Sequence, residues 1–127
     1  MAPDASSSFR FVGYPVRVHA GPDAISKLAE EVDRFKAQRV LVVCGQSVAG
    51  KTDLVDRVKE ALGERVAGVF AGGKTGSPVT SVLEGVAAAR DVDADGIVAV
   101  GGGSAVVTAR GITILLAEKG TAQELCT

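Results

Sequence analysis

Two glycine-rich turns in this 127-residue chain have residue types suited to binding phosphate groups. The first, GQSVAGKT from Gly45 to Thr52, satisfies the Walker A pattern G-x-x-x-x-G-K-[ST] between a predicted strand and a predicted helix. In a nucleoside triphosphatase, backbone N–H groups of such a turn surround the phosphates, while Lys51 would reach the β and γ positions and Thr52 would bind magnesium. Taken alone, this pattern predicts a P-loop nucleotide-binding module.

The rest of the chain gives the P-loop interpretation little support. Such proteins also need an aspartate at the end of a second hydrophobic strand to help hold the metal. The predicted strands 66–70 and 97–100 are followed by alanine and glycine instead. The interior of the turn, Gln46 to Ala49, also lacks the glycines that favour tight wrapping around phosphate. We keep the P-loop as an alternative and not as the main hypothesis.

The second turn, Gly101-Gly102-Gly103-Ser104, lies between a strand and an apolar helix. Consecutive glycines remove Cβ atoms, so that a diphosphate can approach the backbone, and the N-terminus of the following helix favours negative charge. A tight strand-to-helix turn would need only one glycine. Three glycines and a hydroxyl therefore favour an anion site, although they do not form the G-x-G-x-x-G fingerprint of a conventional Rossmann fold.

Other chemistry is sparse in the chain. A single histidine, His19, cannot supply a multi-histidine metal site, and we expect it to be a strand residue. Cys44 and Cys126 do not form a CxxC pair, and Cys44 is predicted to be buried in a strand. With 14 basic and 15 acidic residues scattered along the chain, we expect no nucleic-acid partner. No membrane-spanning or secretory segment is expected, which makes the cytoplasm the default location.

The elements that position these turns alternate between strand and helix, which is typical of an α/β fold with a largely parallel sheet covered by helices on both faces. The predicted strands are 16–20, 40–44, 66–70 and 97–100. The predicted helices are 23–35, 53–62, 78–90 and 105–118, and the third has Ser77 as its N-cap and Pro78 as its first residue.

Three of the helices are predicted to bury one face on the sheet. The predicted inner faces are Ile25, Leu28, Ala29, Val32 and Phe35 in the first helix, Leu54, Val55, Val58, Ala61 and Leu62 in the second, and Val79, Val82, Leu83 and Val86 in the third. The last helix, 105–118, is apolar on nearly every side. We therefore expect it to be buried in its own sheet or against another copy of the chain.

Three segments resemble the iron-containing alcohol dehydrogenase superfamily, which includes maleylacetate reductases, glycerol dehydrogenases and the related dehydroquinate synthases. They read PVRVHAGPDAISKLAEEV, RVLVVCGQSVAGKTDLVDRVKEAL and DADGIVAVGGGSAVVTARGITILLAEKG. The last is the most specific, since the family pattern is GGGS, two residues, then Asp, Thr, Ala and Lys. Here Thr108 and Ala109 match, whereas Val107 replaces the aspartate and Arg110 the lysine. The resemblance implies a Rossmann-like sheet of the dehydroquinate synthase N-terminal type.

The resemblance also implies a dinucleotide site made of Gly45, Gln46, Ser47, Gly101, Gly102, Gly103, Ser104 and Val107. In the family, the turn after the first VLVV-like strand contacts the adenine ribose, often through an aspartate at the position of Gly45. A carboxylate there would bind the ribose 2′-hydroxyl and repel a 2′-phosphate, and glycine does neither. We therefore expect NADP(H) to be accepted at least as well as NAD(H).

Two interpretations of Val107 remain open. In the family, the aspartate at this position would add a polar contact near the dinucleotide, which valine cannot make. Valine would then weaken cofactor binding. Alternatively, the change is local repacking, because valine suits a buried helix.

For the whole protein, the resemblance implies hydride transfer between NAD(P) and a small alcohol or carbonyl substrate, assisted by iron or zinc. In the family the metal ligands lie in a C-terminal helical domain, and none of them lies in this chain. Residues 1–127 are thus expected to be a truncated NAD(P)-binding domain that lacks turnover and catalytic residues. The intact protein is expected to be a homo-oligomer, and Gly68–Phe70 with Ser77–Val79 favour a maleylacetate-type substrate. A non-catalytic α/β interaction domain, which would bind no dinucleotide, is the other alternative.

Overall fold

The computed structural model describes residues 18–74, 76 and 78–117, and within these ranges three parallel strands form one sheet. The strands are β1 (Val40–Gly45), β2 (Val66–Gly73) and β3 (Gly96–Val100), in the spatial order β2-β1-β3. The helices are α1 (Leu28–Arg34), α2 (Gln46–Lys51), α3 (Leu54–Leu62), α4 (Val79–Asp91) and α5 (Gly103–Ala117), with short 3-10 helices at Ala24–Lys27 and Gly63–Arg65. The predicted α/β architecture is confirmed.

Strand β1 is central because its side chains are apolar on both faces of the sheet. Leu41 and Val43 contribute to the core that includes α4 and α5. Val40 and Val42 pack in the opposite core, with residues of α1 and α3. Cys44 is buried at the end of this strand, as predicted, and its burial raises the pKa of the thiol. Helices therefore cover both faces of the sheet.

Small residues determine the contact between α4 and α5. Ser81, Gly85 and Ala89 repeat every four residues along the buried face of α4. A Cβ atom placed on Gly85 would lie 2.3 Å from Cδ1 of Ile112 on α5, so glycine allows the two helices this close approach. The predicted inner face is therefore wrong at Val79 and Leu83, which are exposed, because the face turned toward α5 is centred on the small residues.

The described chain alone does not bury α5 on all sides. One face, formed by Ala105, Thr108, Ala109, Ile112 and Leu115, is buried, but Val106, Val107 and Ile114 are exposed. The reason is geometric, since α4 and the sheet cover only one side of this helix. Packing of the exposed side against another copy remains a prediction.

The N-terminal elements differ from expectation. Residues 16 and 17 of the first predicted strand lie outside the described residues, and residues 18–20 are not in a strand. His19 is consequently not a strand residue, and its Nε2 lies 3.0 Å from Oε1 of Glu31 on α1. Phe35 is 79% exposed and not on an inner face, because α1 ends at Arg34 and Lys36 follows with a positive φ of 58°.

Other element boundaries shift by a few residues. The strand predicted for 66–70 continues to Gly73, because the backbone stays paired with β1. Pro78 occupies the N-cap position of α4 and not its first helical residue. Ser77, the predicted N-cap, and Glu118, the predicted end of the last helix, lie outside the described residues.

Asp95 joins the start of β3 to the start of β1. Its carboxylate accepts hydrogen bonds from the backbone N–H groups of Arg39 at 2.8 Å and Gln38 at 3.0 Å, and these bonds hold its pKa below the ordinary value of 3.8. Because the folded pKa is depressed, the stabilisation is fully present above the unfolded pKa and is lost as the pH falls through the folded pKa.

Asp95→Asn is therefore expected to lower the free energy of unfolding at pH 7 and to lose this difference at strongly acidic pH. Urea unfolding of both proteins from pH 7 down to pH values below 3.8 measures the effect. A constant Asp95→Asn deficit at every pH would contradict the assignment.

Candidate functional site

A cleft of about 430 Å³ lies at the carboxyl ends of the three strands. Ligand sites of open parallel sheets occur at this edge, where the loops that follow neighbouring strands come together. The cleft is lined by Gly45, Gln46, Ser47, Val48, Ala71, Gly73, Lys74, Gly101, Gly102, Gly103, Ser104 and Ala105. A second, larger groove of about 580 Å³ includes Asp95 and Gly96 at the start of β3 and has a mostly apolar lining.

The glycine turn after β3 has one glycine that the backbone requires and two that it does not. Gly101 has a φ of +132°, a conformation that side-chain-bearing residues rarely adopt. Gly102 and Gly103 do not have such a φ, and a Cβ atom on either would meet no atom within 4 Å. The fold alone therefore explains Gly101 only, and the other two leave open space beside the backbone in the cleft.

Helix α5 begins directly at this turn. The carbonyl of Gly102 accepts hydrogen bonds from the N–H groups of Ala105 at 3.1 Å and Val106 at 3.3 Å, which starts the helical pattern. The fifteen-residue helix thus has its N-terminus, with partial positive charge, at the cleft. Open space at Gly102 and Gly103 together with this N-terminus suits an anionic group such as a diphosphate.

The other wall of the cleft comes from β1 and β2. Gly45 is paired with Gly73, and a Cβ atom on Gly45 would lie 3.3 Å from the Gly73 carbonyl oxygen. Gln46 and Ser47 are the first two residues of α2. Seven of the eight residues expected from the sequence thus line one cleft, although their sequence positions are more than fifty residues apart.

Val107 is the exception, because it lies outside the lining and is 54% exposed on α5. The described residues therefore do not bury it, which gives the repacking interpretation no support within this chain. The neighbouring Thr108 is fully buried, and among the described atoms its Oγ1 has no hydrogen-bond partner. The threonine of the family pattern thus packs inside the protein and does not line the cleft.

Strand β2 contributes three cleft residues that the sequence pattern does not predict, namely Ala71, Gly73 and Lys74. The pattern ends this strand at Phe70 and predicts a loop over the residues that follow. A lysine just after a parallel strand is an available signal, since such a position lies at the carboxyl edge. Among the described residues of the lining, Lys74 alone has a charged side chain.

The Walker-like segment does not form a phosphate-binding loop. Residues Gln46–Lys51 form helix α2, and Lys51 and Thr52 lie outside the cleft lining. The Thr52 hydroxyl donates a hydrogen bond to the Val48 carbonyl at 2.7 Å and accepts one from the N–H of Leu54 at 3.3 Å. It therefore connects α2 to α3, and the P-loop alternative is not supported.

Residues 18–74, 76 and 78–117 contain neither a metal cluster nor a membrane-spanning helix. No group of three or more His, Cys, Asp or Glu side chains in these ranges is arranged to hold a metal ion. No helix of the described chain has the length and apolar character needed to cross a membrane. Within these ranges the side chains therefore do not form a metal site.

Comparison with known proteins identifies the family. The family model "Iron-containing alcohol dehydrogenase" matches residues 15–126. A maleylacetate reductase of Cupriavidus pinatubonensis is 40% identical over 101 residues, which are 80% of this chain and 27% of the relative.

Two solved structures show the same fold. The maleylacetate reductase of Agrobacterium tumefaciens superposes with a TM-score of 0.78 at 27% identity, covering 87% of this chain and 31% of that protein. The NADH-dependent butanol dehydrogenase A of Thermotoga maritima has a TM-score of 0.77 at 25% identity, covering 88% and 29%. The chain spans less than a third of the length of these relatives. With its parallel sheet, its GGGS turn and a family match over nearly all of its length, this chain belongs to the iron-containing alcohol dehydrogenase family.

Proposed function

We propose that this chain is the dinucleotide-binding part of a longer oxidoreductase that transfers hydride between NAD(P) and an alcohol or carbonyl group. The observation that carries the proposal is the cleft at the GGGS turn of a member of this family, where Gly102 and Gly103 leave space that the fold itself does not need. A diphosphate is the group of a dinucleotide that requires such close approach to backbone amides.

The contribution of this chain is binding and orientation. The turn Gly101–Ser104 and the N-terminus of α5 hold the pyrophosphate, whereas Gly45, Gln46 and Ser47 contact the adenosine half. The dinucleotide itself supplies the hydride chemistry. We place the iron or zinc ligands and the substrate site in a C-terminal helical domain beyond these 127 residues. The chain alone is then expected to show no turnover.

A substrate of the maleylacetate type is supported by the 40% identical relative, a maleylacetate reductase. We further propose that the intact protein is cytoplasmic and assembles from identical copies. The exposed apolar side of α5, with Val106 and Ile114, is the surface that such assembly or a further domain would cover.

Parallel fluorescence titrations of the intact protein with NADH and NADPH test the proposal. We expect both to bind and NADPH to bind at least as tightly as NADH, because Gly45 has no carboxylate to repel a 2′-phosphate. NADH binding that is about tenfold tighter, or about 1.4 kcal/mol, would contradict the cofactor preference. Absence of binding by both nucleotides would contradict the function itself and favour a non-catalytic interaction domain.

A further inference from the structure

Lys74 is an ionisable group in the cleft to which the proposed function gives no role. It is exposed and follows directly after Gly73, the last residue of β2. Since Gly73 is paired with Gly45, the backbone register places Lys74 next to the end of β1. No acidic residue occurs among the twelve described residues that line the cleft. This lining therefore contains one side-chain positive charge and no negative charge to balance it.

The strand order separates Lys74 from the glycine turn. Strand β1 lies between β2 and β3, so the end of β2 is two strand spacings, roughly 10 Å, from the end of β3. A pyrophosphate held at Gly102 and Gly103 is therefore not the nearest partner for Lys74. The proposed function puts the adenosine half at Gly45–Ser47, beside the end of β1, and β1 is paired directly with β2.

Between Lys74 and the ribose position the backbone carries no side chains, because both members of the Gly45–Gly73 pair are glycine. A Cβ atom at position 45 would lie 3.3 Å from the Gly73 carbonyl oxygen, so a side chain there would crowd the end of β2. Glycine instead leaves this space open to a second anion on the nucleotide.

We propose that Lys74 binds the 2′-phosphate of NADP(H) and is the residue that determines the preference for the phosphorylated cofactor. This inference rests on the proposed function, which supplies the dinucleotide. A lysine ammonium acts on a phosphate as a flexible point charge, which suits a residue just beyond the end of a strand. Lys74 would thus favour NADP(H) in addition to the effect of the missing carboxylate at position 45.

The test compares NADPH and NADH titrations of the intact protein with those of three variants. Lys74→Met keeps the length of the side chain without its charge, and Lys74→Arg keeps the charge. Lys51→Met removes an exposed lysine of α2 that does not line the cleft and is the matched control. We expect Lys74→Met to weaken NADPH binding about tenfold while NADH binding changes less than about twofold, because one charge-assisted phosphate contact is lost.

Two further results are expected if the charge acts directly. Raising the salt concentration should weaken NADPH binding more than NADH binding in the wild type, and Lys74→Met should remove that difference. Lys74→Arg should retain most of the NADPH preference, and Lys51→Met should behave like the wild type.

The outcomes separate the two proposals. If both nucleotides bind but Lys74→Met weakens both equally, or leaves both unchanged, the assignment of Lys74 is wrong while the dinucleotide function stands. The same conclusion follows if the wild type binds NADH about tenfold more tightly. If neither nucleotide binds to the folded wild-type protein, the proposed function fails, and the role of Lys74 fails with it.

Discussion

Ile112→Ala is expected to lower the free energy of unfolding by about 2–5 kcal/mol, the range measured when a large aliphatic side chain is deleted from a core. Ile112 lies on α5 and is fully buried against α4 and the sheet. It belongs to the same core as Leu41 and Val43. The structure around such a deletion relaxes only partially, so a cavity remains. Chemical denaturation with far-ultraviolet circular dichroism measures the loss.

Gly85→Ala tests the close packing on the other side of the same contact. The added methyl group would lie 2.3 Å from Cδ1 of Ile112 and 3.1 Å from Cε2 of Phe70, so one of these side chains must shift. Overpacking of this kind costs about 1–3 kcal/mol. Since alanine gains about 1 kcal/mol over glycine in a helix, the net destabilisation is expected to be between zero and about 2 kcal/mol.

The double variant shows whether the two residues act through one contact. In the Ile112→Ala background the methyl group at position 85 enters vacated space, so Gly85→Ala should cost little there or become stabilising. Gly50→Ala on α2, where an added Cβ meets no atom within 4 Å, is the control for helix propensity. Additive effects of Gly85→Ala and Ile112→Ala would contradict a direct contact between these two positions.

Gly102→Val is expected to weaken dinucleotide binding about 100-fold with little change in stability. The branched side chain would occupy the open space beside the turn and keep a diphosphate from the backbone amides, and loss of about two charge-assisted hydrogen bonds gives an effect of this order. Because Gly102 has no positive φ and an added Cβ would clash with nothing, the fold should tolerate valine. Titration of the intact protein with NADPH measures the loss.

Two matched variants accompany this change. Gly50→Val also meets open space, but it lies outside the cleft and should leave binding unchanged. Gly101→Val should reduce stability as well as binding, because valine is strained at a φ of +132°. Full nucleotide affinity in folded Gly102→Val protein would show that the turn does not hold the pyrophosphate.

Much of the fold follows from local patterns in the sequence. The run Val40 to Cys44 is apolar on both faces, and this pattern alone identifies a strand covered by helices on both sides. The helix faces are less predictable. Hydrophobic spacing favours Val79 and Leu83, but the structure turns the small residues Ser81 and Gly85 inward, because close helix packing depends on the partner's shape as well as on hydrophobicity.

The candidate site, too, could be predicted only in part from the sequence. The glycines after β1 and β3 are identifiable from the sequence because a phosphate-binding turn needs glycine and a helix N-terminus, both of which are local features. The same local criteria also select the Walker pattern at Gly45 to Thr52. In the structure this segment is not a phosphate-binding loop, because Gln46–Lys51 form a helix and the Thr52 hydroxyl connects α2 to α3 through hydrogen bonds.

The strands near 40–44, 66–70 and 97–100 and the glycine turns could be identified from the sequence alone, because each depends on residues that are neighbours in the chain. The tertiary structure was needed to show that β2 continues to Gly73 and that Lys74 shares a cleft with Gly45 and Gly101. It also decided that α5 has one exposed side. These features depend on strand order, pairing register and the cover available to a helix, and such long-range relations are set by packing between segments distant in the chain.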